Sequence, residues 1–178
     1  MTQVGHMLTG VASGVLCLPR QATRRRMAAQ VVVFATLANL PDTPLPGWGH
    51  DRYDVSHSVF VNLLLIALAA LTLWRLWRIR AVLGGWQVIG AGGLAWLSHL
   101  LLDSFYNHGQ DVAIFWPFSD AHLALPIPWF SVVHGVPPPL TPEMARVFTI
   151  ELICYAPLVI AAVVARAAMT RHRHKSPA

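Results

Sequence analysis

The chain has 178 residues, of which 55% are hydrophobic and 12% are charged, and its mean hydropathy is +0.51. Because about a quarter of the residues in soluble globular domains are charged, this composition excludes an ordinary soluble domain and indicates an integral membrane protein. The formal net charge of +5 is compatible with nucleic-acid binding, but the positions of the basic residues argue against that partner.

Five apolar runs predict five helices. In chain order they cover residues 4–18, 27–40, 58–79, 82–105 and 143–169. The last three are close to the length of about 20 residues that crosses the hydrocarbon core of a bilayer. The first two are shorter, and hydropathy leaves open whether they are short spans, tilted partial helices or re-entrant segments. We therefore predict an all-α fold, a polytopic membrane helical bundle of about five transmembrane or partly membrane-embedded helices, as a single domain over residues 1–178.

Two connecting segments interrupt the apolar runs. Residues 41–57 join the second and third predicted helices, and their proline and glycine content predicts a loop. Residues 106–142 form a long extracytoplasmic loop rich in proline and aromatic residues, which either lies on the membrane interface or covers a pocket. Thr141 as N-cap, Pro142 as first helical residue and Glu143 as first-turn acid predict the start of the last helix.

The basic residues orient the predicted helices. Eleven of the 13 follow the first, third or fifth apolar run: Arg20, Arg24, Arg25, Arg26, Arg75, Arg78, Arg80, Arg166, Arg171, Arg173 and Lys175. If every run crosses the bilayer, these residues share one side, which the positive-inside rule makes cytoplasmic. The N-terminus is then outside and the C-terminus inside a bacterial-type cytoplasmic (inner) membrane. The basic tail is interpreted as a topology anchor and not as a nucleic-acid arm.

The same orientation gathers histidine and aspartate at the opposite, extracytoplasmic ends of the helices. Five of them form the candidate site: His6, Asp42, His57, His99 and Asp103. His99 and Asp103 are four residues apart, so they lie on one face of a helix. Imidazole and carboxylate together suit Zn²⁺, the preferred candidate, and also Mn²⁺ or Fe²⁺, as one ion or two. Taken singly, each residue is equally compatible with a helix cap or an interfacial position.

Four segments carry a resemblance to a known family. In chain order they read GHMLTGVASGV, NLPD, GHDRYDVSHS and WLSHLLLDSFYNHGQDVAIFWPF, over about residues 5–120. Their order and spacing resemble the motif series of the YdjM family of predicted membrane-bound metal-dependent hydrolases. That resemblance implies that the five residues of the candidate site are metal ligands. The His-x-x-x-Asp element is also similar, more remotely, to that of zinc-dependent phospholipases C and P1-type nucleases.

The chain departs from the family pattern in two places. Family members often continue the LPD motif as Asp-x-Asp-His, whereas Thr43 follows Asp42 here. In the next motif an aspartate separates the histidine from the arginine, and Tyr53 stands where glycine is expected. Further candidate ligands or compensating groups are therefore His50, Asp51, Asp54 and His108. The other histidines are interpreted as ordinary loop or tail residues: His122, His134, His172 and His174.

These residues predict a hydrolase. A divalent metal lowers the pKa of water toward neutrality and polarises a phosphoryl or carbonyl oxygen. Asp42 or Asp103 would orient or deprotonate that water, and Arg52 would neutralise an anionic substrate. Because the site opens at the membrane interface, the expected substrate is a lipid or lipid-linked phosphoester. The bilayer is the expected partner, with no nucleic acid and no obligatory protein partner. Two alternatives use the same residues without a reaction: metal transport or sensing, and a structural metal that joins helix ends.

Overall fold

A computed structural model describes residues 3–19, 22–76, 85–106, 111–125, 127–131 and 141–173, with side chains up to residue 171. The α-helices in this part of the chain are α1 (Gln3–Leu16), α2 (Arg24–Ala38), α3 (Tyr53–Ser56), α4 (Val59–Arg75), α5 (Trp86–Asp103) and α6 (Pro142–Arg173). Two 3₁₀ turns, Leu40–Asp42 and Gly49–Asp51, lie between α2 and α3. The predicted all-α class is confirmed.

The helix α1 packs against α2, α5 and α6. Its contact with α2 runs through Gly10 and Gly14. A Cβ atom on Gly10 would lie 2.5 Å from the carbonyl oxygen of Phe34, and one on Gly14 would lie 3.1 Å from Phe34 Cβ. Small residues allow two membrane helices to approach backbone to backbone. The position of α1 is therefore set by direct contact with the backbone of α2.

The helix α4 packs more loosely than α1. Within α4, Asn62 is buried, while several leucines along the helix are exposed. An apolar groove of about 210 Å³ lies between α2, α4 and α5, and Leu37, Ile66 and Trp96 are among its lining residues. The indole Nε1 of Trp96 donates a hydrogen bond of 2.6 Å to Asn62 Oδ1. This polar contact joins α4 to α5 where the apolar packing is sparse.

Residues 111–125 lie against the ends of two helices. The backbone N–H of Val59, at the start of α4, donates to the carbonyl of Ile114 over 2.9 Å. The N–H of Leu125 donates over 2.7 Å to the carbonyl of Ser104, just beyond α5. These hydrogen bonds hold the segment over the same end of the bundle, which positions the site described below.

Helices occur in all five predicted regions, with different bounds. The second begins at Arg24 and not at residue 27, because the Thr23 hydroxyl caps it by accepting from the Arg26 N–H. The third and fourth are described as Val59–Arg75 and Trp86–Asp103, and residues 77–84 lie outside the described chain. The short helix α3 falls in the predicted loop 41–57, where local hydrogen bonds, and not an apolar run, form the turn.

The described helices differ in whether they are long and apolar enough to cross a membrane. Among the described residues, one helix, Pro142–Arg171, is long and apolar enough to cross a membrane by length and composition, and Val59–Arg75 is apolar but shorter. The predicted start of the last helix is confirmed, since Met144 N donates to Thr141 Oγ1 and α6 begins at Pro142. The described parts of the predicted loop 106–142 are mostly irregular, with a single bridge between Val112 and Leu123.

Candidate metal centre

The five candidate residues come from four parts of the fold. His6 lies near the start of α1, Asp42 ends the 3₁₀ turn after α2, and His57 lies between α3 and α4. His99 and Asp103 lie near the C-terminal end of α5. All five side chains are buried, with exposed fractions of at most 9%. The fold thus brings together, at one end of the bundle, residues that are far apart in the sequence.

The turn that carries Asp42 follows from the Leu-Pro-Asp sequence. Pro41 occupies the first position of the 3₁₀ turn, where its fixed φ angle favours a helical start and its missing N–H costs nothing. The carbonyl of Leu40 accepts from the N–H of Thr43 over 3.1 Å and from the indole N–H of Trp48 over 2.9 Å. These contacts fix the chain direction at Asp42, whose carboxylate is 91% buried.

The segment that carries His57 is held by Asn62. The Asn62 side-chain amide donates to the carbonyl oxygens of Ser56 and Ser58, both over 2.7 Å. Its oxygen accepts from Trp96 of α5. Asn62 therefore fastens the chain on both sides of His57 to the helix that carries His99.

Four of the five residues converge on one point. His6, Asp42, His99 and Asp103 each offer a ligand atom, and these atoms lie within 4.8 Å of one another. Asp103 Oδ1 is 3.1 Å from His6 Nε2, and Asp103 Oδ2 is 3.4 Å from His99 Nε2. Asp42 Oδ1 is 3.6 Å from His99 Nε2. Donors about 2.1 Å from a tetrahedral ion are about 3.4 Å apart, so this buried group can hold a metal ion.

Two atoms at the centre of this group are also suited to bind a cation. Asp42 Oδ1 and His99 Nε2 are buried and make no hydrogen bond within the described part of the chain, although they face each other at 3.6 Å. Buried polar atoms without a partner are costly. A metal ion bound by both atoms would remove that cost, so the donor set and its geometry fit a divalent cation.

In His99 and His57 the Nδ1 atom forms contacts away from the centre of the buried group. These contacts explain why the Nε2 atom faces the centre. His99 Nδ1 donates to the carbonyl of Ala38 over 2.8 Å. His57 Nδ1 lies 2.8 Å from Ser56 Oγ and 3.2 Å from the carbonyl of Tyr53. An imidazole that donates from Nδ1 presents a lone pair at Nε2. Since these lone pairs face carboxylates, a proton or a metal ion is needed between them.

His57 lies at the edge of the group. Its Nε2 is 3.0 Å from Asp103 Oδ2 and 3.4 Å from Asp42 Oδ1. It therefore contacts both carboxylates, but it is not among the four residues whose ligand atoms are all close to one another. Its role as a ligand stays a prediction.

Asp42 and Tyr53 lie outside the long helices, and the site shifts the pKa of both. Burial acts to raise the pKa of Asp42, but the imidazoles of His57 and His99 outweigh it and hold the pKa well below its usual range. Burial and the charges of Asp103 and Asp42 raise the pKa of Tyr53. The Asp42 carboxylate is therefore ionised near neutral pH, and the Tyr53 phenol keeps its proton and donates to Asp103 Oδ2 over 3.4 Å.

An open cleft of about 670 Å³ lies beside the buried group. Its lining residues are His50, Asp51, Arg52, Tyr53, Asp54, Asp111, Ala113 and His122. Tyr53 belongs to both regions, because its ring stacks on His57 at 3.8 Å and its hydroxyl reaches Asp103. His50 is exposed and its Nε2 lies 3.7 Å from Asp42 Oδ1. Two residues that line the cleft therefore contact the buried carboxylates, His50 at Asp42 and Tyr53 at Asp103.

The other predicted site residues lie in this cleft and not in the buried group. Arg52 is exposed, and its Nε is 3.5 Å from Asp54 Oδ1. Asp51 Oδ2 accepts from the N–H of Gly47 over 2.7 Å, so it stabilises its own turn. Both aspartates line the cleft, and the hypothesis that Asp51 or Asp54 compensates as a ligand or base stays a prediction. His108 lies outside the described residues.

The structure adds three groups that the sequence analysis did not assign to the site. They are the Ala38 carbonyl, Asn62 and the Tyr53 side chain. A role for Asn62 could have been predicted from the sequence, since a polar residue inside an apolar run often forms hydrogen bonds between membrane helices. Tyr53 stands four residues before His57, but that spacing is informative only in a helix, and the segment was predicted to be a loop.

A family model described as YdjM inner membrane protein matches residues 1–173. No curated protein and no solved structure matches the chain, so the more remote resemblance to phospholipases C and P1-type nucleases gains no support. The match covers every residue of the buried group and of the cleft.

Proposed function

The chain belongs to the YdjM family of inner membrane proteins, and from that premise we propose that it is a membrane-bound metal-dependent hydrolase. The reaction would be cleavage of a phosphoester, in a lipid or lipid-linked substrate, at the extracytoplasmic face. The observation that carries the proposal is the facing pair Asp42 Oδ1 and His99 Nε2, buried without hydrogen bonds in the described chain and beside a cleft.

The donor set is His6, Asp42, His99 and Asp103, with His57 in contact with both carboxylates. Mixed imidazole and carboxylate donors suit Zn²⁺ first and Mn²⁺ or Fe²⁺ as alternatives. A divalent cation bound there would supply an activated water and an electrophile for a phosphoryl oxygen. The protein supplies a rigid, largely buried group of donors with one side toward the cleft.

The two carboxylates would have different roles. Asp103 contacts His6, His57 and His99. Its carboxylate therefore serves to position the three imidazole rings. Asp42 is ionised and lies 3.7 Å from the exposed ring of His50. Asp42 is therefore the better placed of the two to orient a water molecule on the side of the cleft.

The cleft would bind the phosphate. Arg52 is exposed there, and its contact with Asp54 is a surface ion pair that contributes little stability. A phosphate that replaced this contact would gain charge-assisted hydrogen bonds from the guanidinium. Because the chain is an inner membrane protein, a substrate that carries its phosphate at the membrane surface fits the cleft's place beside the helix ends.

The proposed orientation places the N-terminus and the site outside and the C-terminus in the cytoplasm. Two contacts support a shared direction for α1 and α6: Gly5 lies beside Glu151, and Val15 lies beside Arg166. The two helices therefore run parallel. A reporter fused after Lys175 should be cytoplasmic and one inserted near Gly135 external. Reporters on one side of the membrane would contradict the orientation.

Metal content and activity of the purified full-length protein test the function. Wild type should contain at least one divalent ion per chain and hydrolyse a phospholipid or a generic phosphodiester. His99→Ala and Asp103→Ala should lose both metal and hydrolysis. His122→Ala changes a cleft histidine outside the buried group, so it should keep its metal.

Two results would contradict the proposal. A metal-free wild type would remove the basis of the reaction. Metal that binds to wild type, is lost from both variants and supports no hydrolysis of either substrate would favour transport, sensing or a structural metal.

A further inference from the structure

Glu151 is a buried acid that belongs to neither the metal donor set nor the cleft. It lies on α6 with no exposed surface. Its Oε2 accepts a hydrogen bond of 3.1 Å from the backbone N–H of Gly5, the residue before His6. Its carboxylate is also close enough to the Tyr106 phenol to interact with it electrostatically. Glu151 therefore contacts the start of α1 and the chain just beyond α5.

Both of these neighbours are linked through the backbone to residues of the buried His/Asp group. Gly5 precedes His6, and the N–H of Tyr106 donates to the carbonyl of Asp103 over 3.0 Å. His6 Nε2 and Asp103 Oδ1 are themselves 3.1 Å apart. Glu151 thus touches the two backbone segments whose side chains meet at the centre.

A second contact on α6 holds the other end of α1. The guanidinium of Arg166 donates to the carbonyl oxygens of Val15, Leu18 and Pro19 over 3.3, 2.5 and 2.9 Å. Helix ends carry unpaired N–H and C=O groups and partial charges that favour an acid at the start and a base at the end. Glu151 and Arg166 are about four turns apart on α6, close to the length of α1. The helix α6 therefore fixes the axial position of α1 at both ends.

His6 depends on that position more than the other histidines do. Nδ1 of His99 is held by the Ala38 carbonyl, and Nδ1 of His57 by Ser56 and Tyr53. His6 Nδ1 is buried and has no hydrogen-bond partner within the described chain. Since ring orientation at a metal site is usually fixed by a partner of the second nitrogen, His6 depends on the placement of its helix and on its stacking against the His99 ring, with centroids 3.7 Å apart.

We infer that Glu151 is a positioning residue for the metal centre: by holding the Gly5 N–H and Tyr106, it sets the placement of His6 relative to Asp103. The inference rests on the proposed function only in treating the His/Asp group as a metal site. It assigns to Glu151 no contact with metal or substrate.

Three variants of the full-length protein in detergent separate positioning from general stability. Glu151→Leu removes the acceptor, Glu151→Gln keeps an acceptor oxygen of similar shape, and Arg166→Leu removes the matched contact at the far end of α1. The first measurement is ¹⁵N NMR of histidine in the metal-free protein, with the His6 signals assigned by His6→Gln. The second is titration with Co²⁺, followed by its visible absorption.

Glu151→Leu should shift the His6 ¹⁵N signals and raise the Co²⁺ dissociation constant about 10–100-fold, with a changed absorption spectrum. Glu151→Gln should restore the wild-type signals and an affinity within about threefold. Arg166→Leu should lower the melting temperature but change the His6 signals and the Co²⁺ spectrum much less than Glu151→Leu does, because its contacts lie at the far end of α1.

The inference is overturned if Glu151→Leu leaves the His6 signals as in wild type, or if Arg166→Leu shifts them equally. A failed hydrolase assay does not affect this outcome. Wild type that binds Co²⁺ without hydrolysing any substrate removes the proposed function alone. Wild type that binds no Co²⁺ removes the metal site, and the His6 signals then decide whether Glu151 places the ring.

Discussion

The helices α1 and α4 both lead to the metal centre, but they are held in place by different contacts. At Gly10, α1 approaches α2 so closely that an added Cβ would lie 2.5 Å from a backbone oxygen. The helix α4 meets Gly93 of α5 through a side chain, where an added Cβ would lie 3.1 Å from Ile66 Cγ2, and it buries Asn62 near its start. Asn62 in turn makes three short hydrogen bonds to Ser56, Ser58 and Trp96.

This difference shows two ways to place a histidine side chain at the candidate metal centre. His6 is placed by shape, because backbone contact and the contacts of α6 leave α1 little freedom. His57 is placed by hydrogen bonds, because lipid tails are as apolar as leucine and give no net drive for apolar helices to associate. Substitutions at the contact between α1 and α2 should therefore act mainly on stability, and substitutions on the α4 side mainly on metal affinity.

The largest expected effect is on the α1 side. Gly10→Leu should force α1 away from α2, because the nearest atoms are the backbone carbonyl of Phe34 and Cα of Ala35. We expect a loss of stability beyond the about 1–3 kcal/mol that an extra methylene costs in a packed interior. Thermal unfolding in detergent would measure this loss.

Gly90→Leu is the matched control. Gly90 lies in α5, is exposed, and an added Cβ there meets nothing within 4 Å. Its melting temperature should stay close to that of wild type. Equal losses in the two variants would mean that close approach of α1 to α2 is not what stabilises the bundle.

Asn62→Leu should have the next largest effect. It leaves the N–H of Trp96 and the carbonyl oxygen of Ser56 without the amide as partner, while the carbonyl of Ser58 keeps the backbone N–H of residue 62. An unpaired buried group costs about 1–3 kcal/mol, and metal affinity should fall about 10–100-fold, as for other partners that orient ligands. Zn²⁺ titration would measure the affinity. Thr72→Val, on the exposed face of the same helix, should leave it unchanged; a comparable fall there would contradict the role given to Asn62.

The convergence of the site could be predicted because two sequence signals are independent of detailed packing. The spacing of His99 and Asp103 places them on one helix face, and the charge pattern sends His6 and Asp42 toward the same end of the bundle. The structure brings these four ligand atoms together.

The supporting contacts could not be predicted in the same way. The Ala38 carbonyl accepts from His99 only because α2 ends beside α5. Every residue has a backbone carbonyl, so the sequence does not indicate which one forms this bond. Arg166 was interpreted through the charge pattern as a topology residue, yet its guanidinium binds the end of α1. Such contacts depend on how helices approach each other, which hydropathy and spacing do not specify.

Tyr53→Phe should have the smallest effect on metal affinity. It tests which part of the Tyr53 side chain contributes to the site on the α4 side. The phenylalanine ring keeps the stacking on His57 at 3.8 Å but loses the hydrogen bond of 3.4 Å to Asp103 Oδ2. Since that bond is long and Asp103 keeps its contacts with three histidines, Zn²⁺ affinity should fall only about two- to fivefold, below the usual effect of losing a ligand-orienting partner. Tyr53→Ala, which also removes the stacking, should weaken Zn²⁺ binding further. If Tyr53→Phe were as damaging as Tyr53→Ala, the hydroxyl and not the ring would be what Tyr53 contributes to the site.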